Sequence, residues 1–95
     1  MKDIELEQHE YCAEDATYTI SGELDFKPNL IELLKRARKL YDKVIDMTGL
    51  DTIVVVTDGP TIHIHGNGKV IINSAQNIEE AQEHLKLLFQ DIENE

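Results

Sequence analysis

His63 and His65 are the residues whose type and spacing best suit chemistry in this 95-residue chain. They sit in the strictly alternating run Thr61-Ile62-His63-Ile64-His65. Successive side chains on a strand point to opposite faces, so both imidazoles share one face and Ile62 and Ile64 the other. Two ring nitrogens spaced this way can converge on one transition-metal ion, although a zinc ion takes three or four protein ligands. His9 and Cys12 would supply the rest only if the N-terminal segment folded across that face. The plainer reading is a pair of solvated or interface histidines. Other candidates carry less. Cys12 lies among Glu10, Glu14 and Asp15, whose charges disfavour the reactive thiolate. Gly66-Asn67-Gly68-Lys69 has the glycines and lysine of a phosphate loop, but a strand follows it where such a loop needs a helix N-terminus. Asp46, Asp51 and Asp58 are too scattered for a cation site, and no Ser-His-Asp order or catalytic carboxylate pair can be assembled. The expectation is a protein that is not an enzyme and uses no cofactor, with His63 and His65 as the one speculative metal pair.

The formal net charge is −10. Lys and Arg contacts to phosphate supply most non-specific nucleic-acid affinity, so a polyanion is a poor partner for such a chain. Acidic residues crowd the two ends, while Lys35, Arg36, Arg38, Lys39 and Lys43 cluster between them, where basic residues on the last turns of a helix complement its dipole. The single cysteine cannot form an internal disulfide, and Met1-Lys2-Asp3-Ile4-Glu5 has no signal-peptide character. No segment reaches the roughly 20 apolar residues of a membrane span. Together these point to the cytoplasm and away from a membrane.

The elements that must position the histidines follow from periodicity. Residues 1–15 read as an acidic N-terminal arm, in which Ile4 and Leu6 alternate with charges and permit a short edge strand or a frayed end. Residues 16–95 form one domain. Thr17 to Ser21 reads as a strand with Tyr18 and Ile20 facing inward. Asp25 is expected to cap a helix over about 26–42, with Pro28 in its first turn and a stripe from Leu30 through Leu33, Leu34, Ala37, Leu40 and Tyr41 to Val44. Strands are expected at Val44–Met47, Ile53–Val56, Thr61–His65 and Lys69–Asn73, the last two joined by the Gly66-Asn67-Gly68 hairpin. Asn77 caps a second helix, Glu80 completes a capping box, and Ile78, Ala81, Leu85, Leu88 and Ile92 form its stripe. The order is β-α-β-β-β-β-α, an α+β fold. Two helices so placed cover one sheet face and leave the other to solvent or a partner.

That order, with the segment Pro60-Thr61-Ile62-His63-Ile64-His65-Gly66-Asn67-Gly68-Lys69-Val70-Ile71-Ile72-Asn73-Ser74-Ala75 and the helix start Asn77 to Ala81, resembles one repeat of the TATA-binding protein family. Leu24-Asp25-Phe26-Lys27 resembles that family's entry into its first helix. The resemblance spans about residues 16–92 and implies a curved antiparallel sheet with two helices on one face, half of the family's two-repeat saddle. The family binds DNA on its concave face and wedges phenylalanines between base steps. Here the hairpin wedge position is His65, the other falls near Leu50, there is one repeat, and the charge is acidic. TATA-type DNA binding is therefore not expected.

Ile20 to Asp25 through Val44 to Asp51 is also similar to the early strand–helix–strand of STAS domains, which implies a regulatory switch phosphorylated at a helix start. The matching stretch, Asp51-Thr52-Ile53-Val54-Val55, has no serine. The leading expectation is a non-catalytic interaction domain. Its open sheet face, with Thr17, Thr19, Ser21, His63, His65, Ile71 and Asn73, would serve self-association as a homodimer, or hold a protein or small ligand. Either Val54 and Val56, or Ile53 and Val55, would join that face.

Overall fold

The computed structural model describes residues 6–12 and 17–89. It is an α+β fold with one open antiparallel sheet and two helices against one of its faces. The strands are β1 (Leu6–Cys12), β2 (Thr17–Glu23), β3 (Lys43–Met47), β4 (Thr52–Val56), β5 (Thr61–His65) and β6 (Lys69–Ala75), and the helices are α1 (Leu30–Leu40) and α2 (Ile78–Phe89). The spatial order is β1-β2-β6-β5-β4-β3. From β3 to β6 the chain is a meander of consecutive hairpins, every pairing is antiparallel, and β2 returns to the free side of β6. That arrangement differs from the alternating strand–helix pattern a STAS domain requires. Within the expected acidic arm, Leu6–Cys12 is an edge strand, so the observed order has one strand more than the expected one.

The alternation along β5 and β6 decides which face the helices take. Ile62, Ile64, Val70 and Ile72 are fully buried, as are Ile20, Ile53 and Val55 in the neighbouring strands. Leu33 and Ala37 of α1 and Ala81, Leu85, Leu88 and Phe89 of α2 close over them. Phe26 meets Phe89 edge-on at 5.8 Å between ring centroids, which packs the chain ahead of α1 onto the end of α2. Arg36 of α1 donates from its guanidinium to the Leu87 carbonyl at 3.2–3.3 Å, placing a cation at the C-terminal end of α2. Ile92, the expected last member of the α2 stripe, lies outside the described residues.

The start of α1 differs from expectation. The cap is Asn29, whose side chain accepts from the Ile31 and Glu32 amides at 3.1 and 3.2 Å. Asp25 lies well before the helix, and Pro28 precedes the cap instead of occupying the first turn. The reason is a long-range contact: the Leu24 amide donates to the Gly68 carbonyl at 2.8 Å, tying residues after β2 to the β5–β6 hairpin. Gly68 has φ +99, and a Cβ there would sit 3.0 Å from the Phe26 carbonyl oxygen, so this close approach needs glycine. α1 stops at Leu40, with Tyr41 extended. α2 is capped by Asn77, which accepts from the Glu80 amide at 2.8 Å. Glu80 reaches back to the Gln76 amide at 2.9 Å, one residue earlier than a capping box requires.

The caps separate the two readings of α1. Asn29→Ala should lower the urea midpoint by the equivalent of about 1 kcal/mol without changing the m-value. Asp25→Ala should leave the midpoint within the range of ordinary surface substitutions, about 0.5 kcal/mol. Equilibrium unfolding monitored by circular dichroism distinguishes the two.

Candidate functional site

The sheet face opposite the helices is built by the same alternation. His63 pairs across the sheet with Val54 on one side and Ile71 on the other, Val54 pairs with Ile45, and Ile71 pairs with Ser21. An uncovered row therefore runs Ile45–Val54–His63–Ile71–Ser21. Beside it lie Met47–Thr52–His65 and Lys43–Val56–Thr61–Asn73. Of the two options left open for β4, Val54 and Val56 join this face. The rows are mixed in character, with apolar residues on β3, β4 and β6 and hydroxyls or imidazoles between them.

Thr19, Asn73, Ile71, His63 and His65 stand together on this face, and the side chain of Thr17 lies outside the described residues. Thr19 donates to the Asn73 side chain at a long 3.5 Å. The register between β2 and β6 slips beside this contact, and Ser74 takes up the extra residue with φ 65. Val54 is only 6% exposed although no helix covers it. Its neighbours on the face, Ile45, His63, Thr52 and Val56, stand around it and make the centre of the face a dry spot.

His65 is held by Thr52, with Thr52 Oγ1 2.9 Å from Nδ1. The same hydroxyl donates to the Leu50 carbonyl at 3.2 Å. A hydroxyl has one proton, so the assignment that satisfies both contacts has His65 Nδ1–H donating to Thr52 and Nε2 carrying the free lone pair. A threonine against a histidine has the outline of a nucleophile and its base. Here, however, the proton of Thr52 is directed to a carbonyl, its side chain is buried, and the imidazole donates instead of accepting.

His63 has no hydrogen-bond partner among the described residues. Burial between Val54 and Ile71 and, secondarily, the nearby His65 disfavour its charged form and hold its pKa below the ordinary histidine value. The side chains of His9 and Cys12, the expected further metal ligands, lie outside the described residues. Their strand is β1, three inter-strand spacings from β5, or roughly 14 Å. Among the described residues, no three His, Cys, Asp or Glu side chains converge on one point.

A second concavity, absent from the expectations, lies at the end of the sheet where α1 leads into β3. This groove of about 510 Å³ is lined by Tyr41, Asp42, Lys43, Asp58, Glu80 and His84, among others. The Tyr41 hydroxyl and His84 Nδ1 are 2.7 Å apart, and burial raises the tyrosine pKa, so the phenol stays protonated. The β4–β5 turn forms one wall, held by Thr57 Oγ1 donating to the Pro60 carbonyl at 2.7 Å and accepting from the Gly59 amide at 3.0 Å. Tyr41 and His84 are 43 residues apart, so only the packing of α1 against α2 brings them together. Local periodicity carries no signal for such a pair.

Comparison with protein-family models, with curated proteins and with solved structures returns no match to this chain. No helix among the described residues is long and apolar enough to cross a membrane.

The environment of His63 gives a pH dependence. The unfolded chain, with His63 near its ordinary pKa of about 6.5, takes up a proton before the folded chain does. The stability this histidine contributes is therefore complete above about pH 6.5 and falls as the pH drops through the lower folded-state value. In a proton NMR titration, the His63 ring should show its midpoint below 6.5, and His63→Gln should remove this component of the acid-side loss of stability.

Proposed function

We propose that this protein is a non-catalytic interaction domain that pairs with a second copy of itself through the open face of its sheet. The observation that carries this reading is the uncovered row Ile45–Val54–His63–Ile71, centred on a valine that is dry without any helix over it. Charge supports the same face. A copy carrying −10 repels another copy, yet from β3 to β6 the row through His63 carries no carboxylate. Among the described side chains, charge stands at its rim, where Glu23 pairs across from Lys69 and Lys43 begins β3.

The sheet edges are less suitable. β3 is five residues long and carries Lys43 and Asp46, and β1 is interrupted by a register shift between Gln8 and Tyr11. Charged, short or bulged edges oppose strand-to-strand association. The face is also large enough. Five strands about 4.8 Å apart and about five residues long make a platform of roughly 400 Å² in projection. Its accessible surface, with side chains standing on it, is larger than this projection, and a standard interface covers about 800 Å² per partner.

The architecture we propose for the domain is the single TATA-binding-protein-like half, supported by the helix that follows β2 and the four-strand meander that follows the helix. DNA is the wrong partner for this face. Among the described residues its lysines are at the rim, and the wedge positions hold His65 and the exposed Leu50. The cytoplasm is the proposed location, consistent with a single cysteine.

Ile71→Glu places a carboxylate at the centre of the proposed interface, beside His63 and away from the core. In sedimentation equilibrium at micromolar to hundred-micromolar concentration, the parent chain should approach twice its 10.8 kDa mass. The variant should remain monomeric while keeping its circular dichroism spectrum. A parent chain that stays monomeric throughout this range contradicts the proposal.

A further inference from the structure

We propose that the open face holds half of a transition-metal site, and that a second copy of the chain completes it with the same two residues, His63 and His65. The inference rests on the self-association reading above and adds to it a ligand class, zinc or a similar divalent ion with a preference for imidazole.

Three observations carry it. First, the two imidazoles are two residues apart on a straight strand, with Cα atoms separated by about 6.7 Å, on the same face. Second, His65 is oriented as metal-ligating histidines are: its Nδ1–H is engaged by Thr52, itself anchored to the Leu50 carbonyl, leaving the Nε2 lone pair free. Outer hydrogen bonds of this kind fix the tautomer and ring direction of a ligand. His63 has both ring nitrogens without a hydrogen-bond partner among the described residues.

Third, nothing else within the described part of the chain can finish the coordination. No third His, Cys, Asp or Glu side chain converges on the pair, and β1, with His9 and Cys12, is three strands away. Two ligands leave a zinc ion short of its usual four, and imidazole donors favour zinc, copper or nickel over magnesium or calcium.

A two-fold axis through the face supplies the remainder. In a symmetric pairing the same patch meets itself, so His63 and His65 of one copy face His63 and His65 of the other. Four imidazole nitrogens about 2.0 Å from one ion make a tetrahedral site. Lys69 stands at the hairpin end of the face, opposite Glu23, and is exposed. The ion also places positive charge between two acidic chains, which offsets part of their repulsion.

The test is a titration of chelator-treated full-length protein with zinc ion alone, read by calorimetry and sedimentation velocity. The expected result is an inflection at one ion per two chains, with dimer formation tightened at least tenfold. His63→Ala and His65→Ala should each abolish the zinc response. Thr52→Val should weaken zinc binding about 10–100-fold with the fold intact, as loss of an outer hydrogen bond does. Cys12→Ser should keep the full response, which separates this site from thiol binding near the N-terminus.

A dimer that forms without zinc and that one ion per two chains tightens supports the inference. A dimer that Ile71→Glu disrupts but zinc leaves unchanged overturns the metal site and leaves the self-association reading standing. One ion per monomer, without association, overturns the shared site. A chain monomeric with and without zinc overturns both.

Discussion

One-sided burial of the antiparallel sheet is the constraint on which everything else in this molecule depends. Ile62, Ile64, Val70 and Ile72 alternate with His63, His65, Lys69, Ile71 and Asn73, and a shift of one residue would exchange the two sets. The register is held at both ends of the hairpin. The Gly68 amide donates to the His65 carbonyl, and the Gly68 carbonyl accepts from Leu24, so the turn is tied to the residues leading into α1. Gly66 contributes at the other side, since its amide donates to the Asp51 carbonyl and a Cβ there would overlap the Asp51 carboxylate. With the aliphatic set committed to the helices, the imidazoles have only the open face.

The open face then acquires its properties without any residue placed there by a helix. Val54 is dry because Ile45 and His63 stand on either side of it across the sheet. His63 is pushed toward its neutral form because two aliphatic neighbours flank it. His65 is aimed because Thr52 lies directly opposite in the register. All three follow from cross-strand neighbours, the unit by which sheets organise their surfaces. A surface of this kind, dry at its centre and charged at its rim, has the general anatomy of an interface.

Much of this was legible in the sequence wherever a residue's role depended on its immediate neighbours. The alternation of β5, the turn at Gly66 to Gly68, the Asn77 cap, and the stripes Leu30–Leu33–Leu34–Ala37 and Ala81–Leu85–Leu88 are local patterns that stand in the structure where periodicity puts them, whereas Leu40 is exposed and Tyr41 and Val44 lie past the end of α1. What was not legible depends on contacts between distant segments. Asp25 and Asn29 are both good cap residues, and the choice of Asn29 is made by the attachment of Leu24 to Gly68. Whether Val54 or Ile53 faces the helices turns on pairing with β5, because a continuous β-branched run has no alternation of its own. Phe89 closes the core against Phe26 across 63 residues, and Tyr41 meets His84 across two helices. The edge strand β1 has no clear period of its own, since charges alternate there with few apolar residues, and its pairing with β2 is what defines it.

The central claim is that the face carrying Val54, His63 and Ile71 is where two copies meet. The most direct measurement is an isotope-filtered NOE experiment on an equal mixture of labelled and unlabelled chains. The account predicts intermolecular cross-peaks from the methyls of Val54 and Ile71 and from the His63 ring to the same residues of the other copy. Intermolecular cross-peaks confined to the outer surfaces of α1 and α2, or none at concentrations that would populate a dimer, would contradict it.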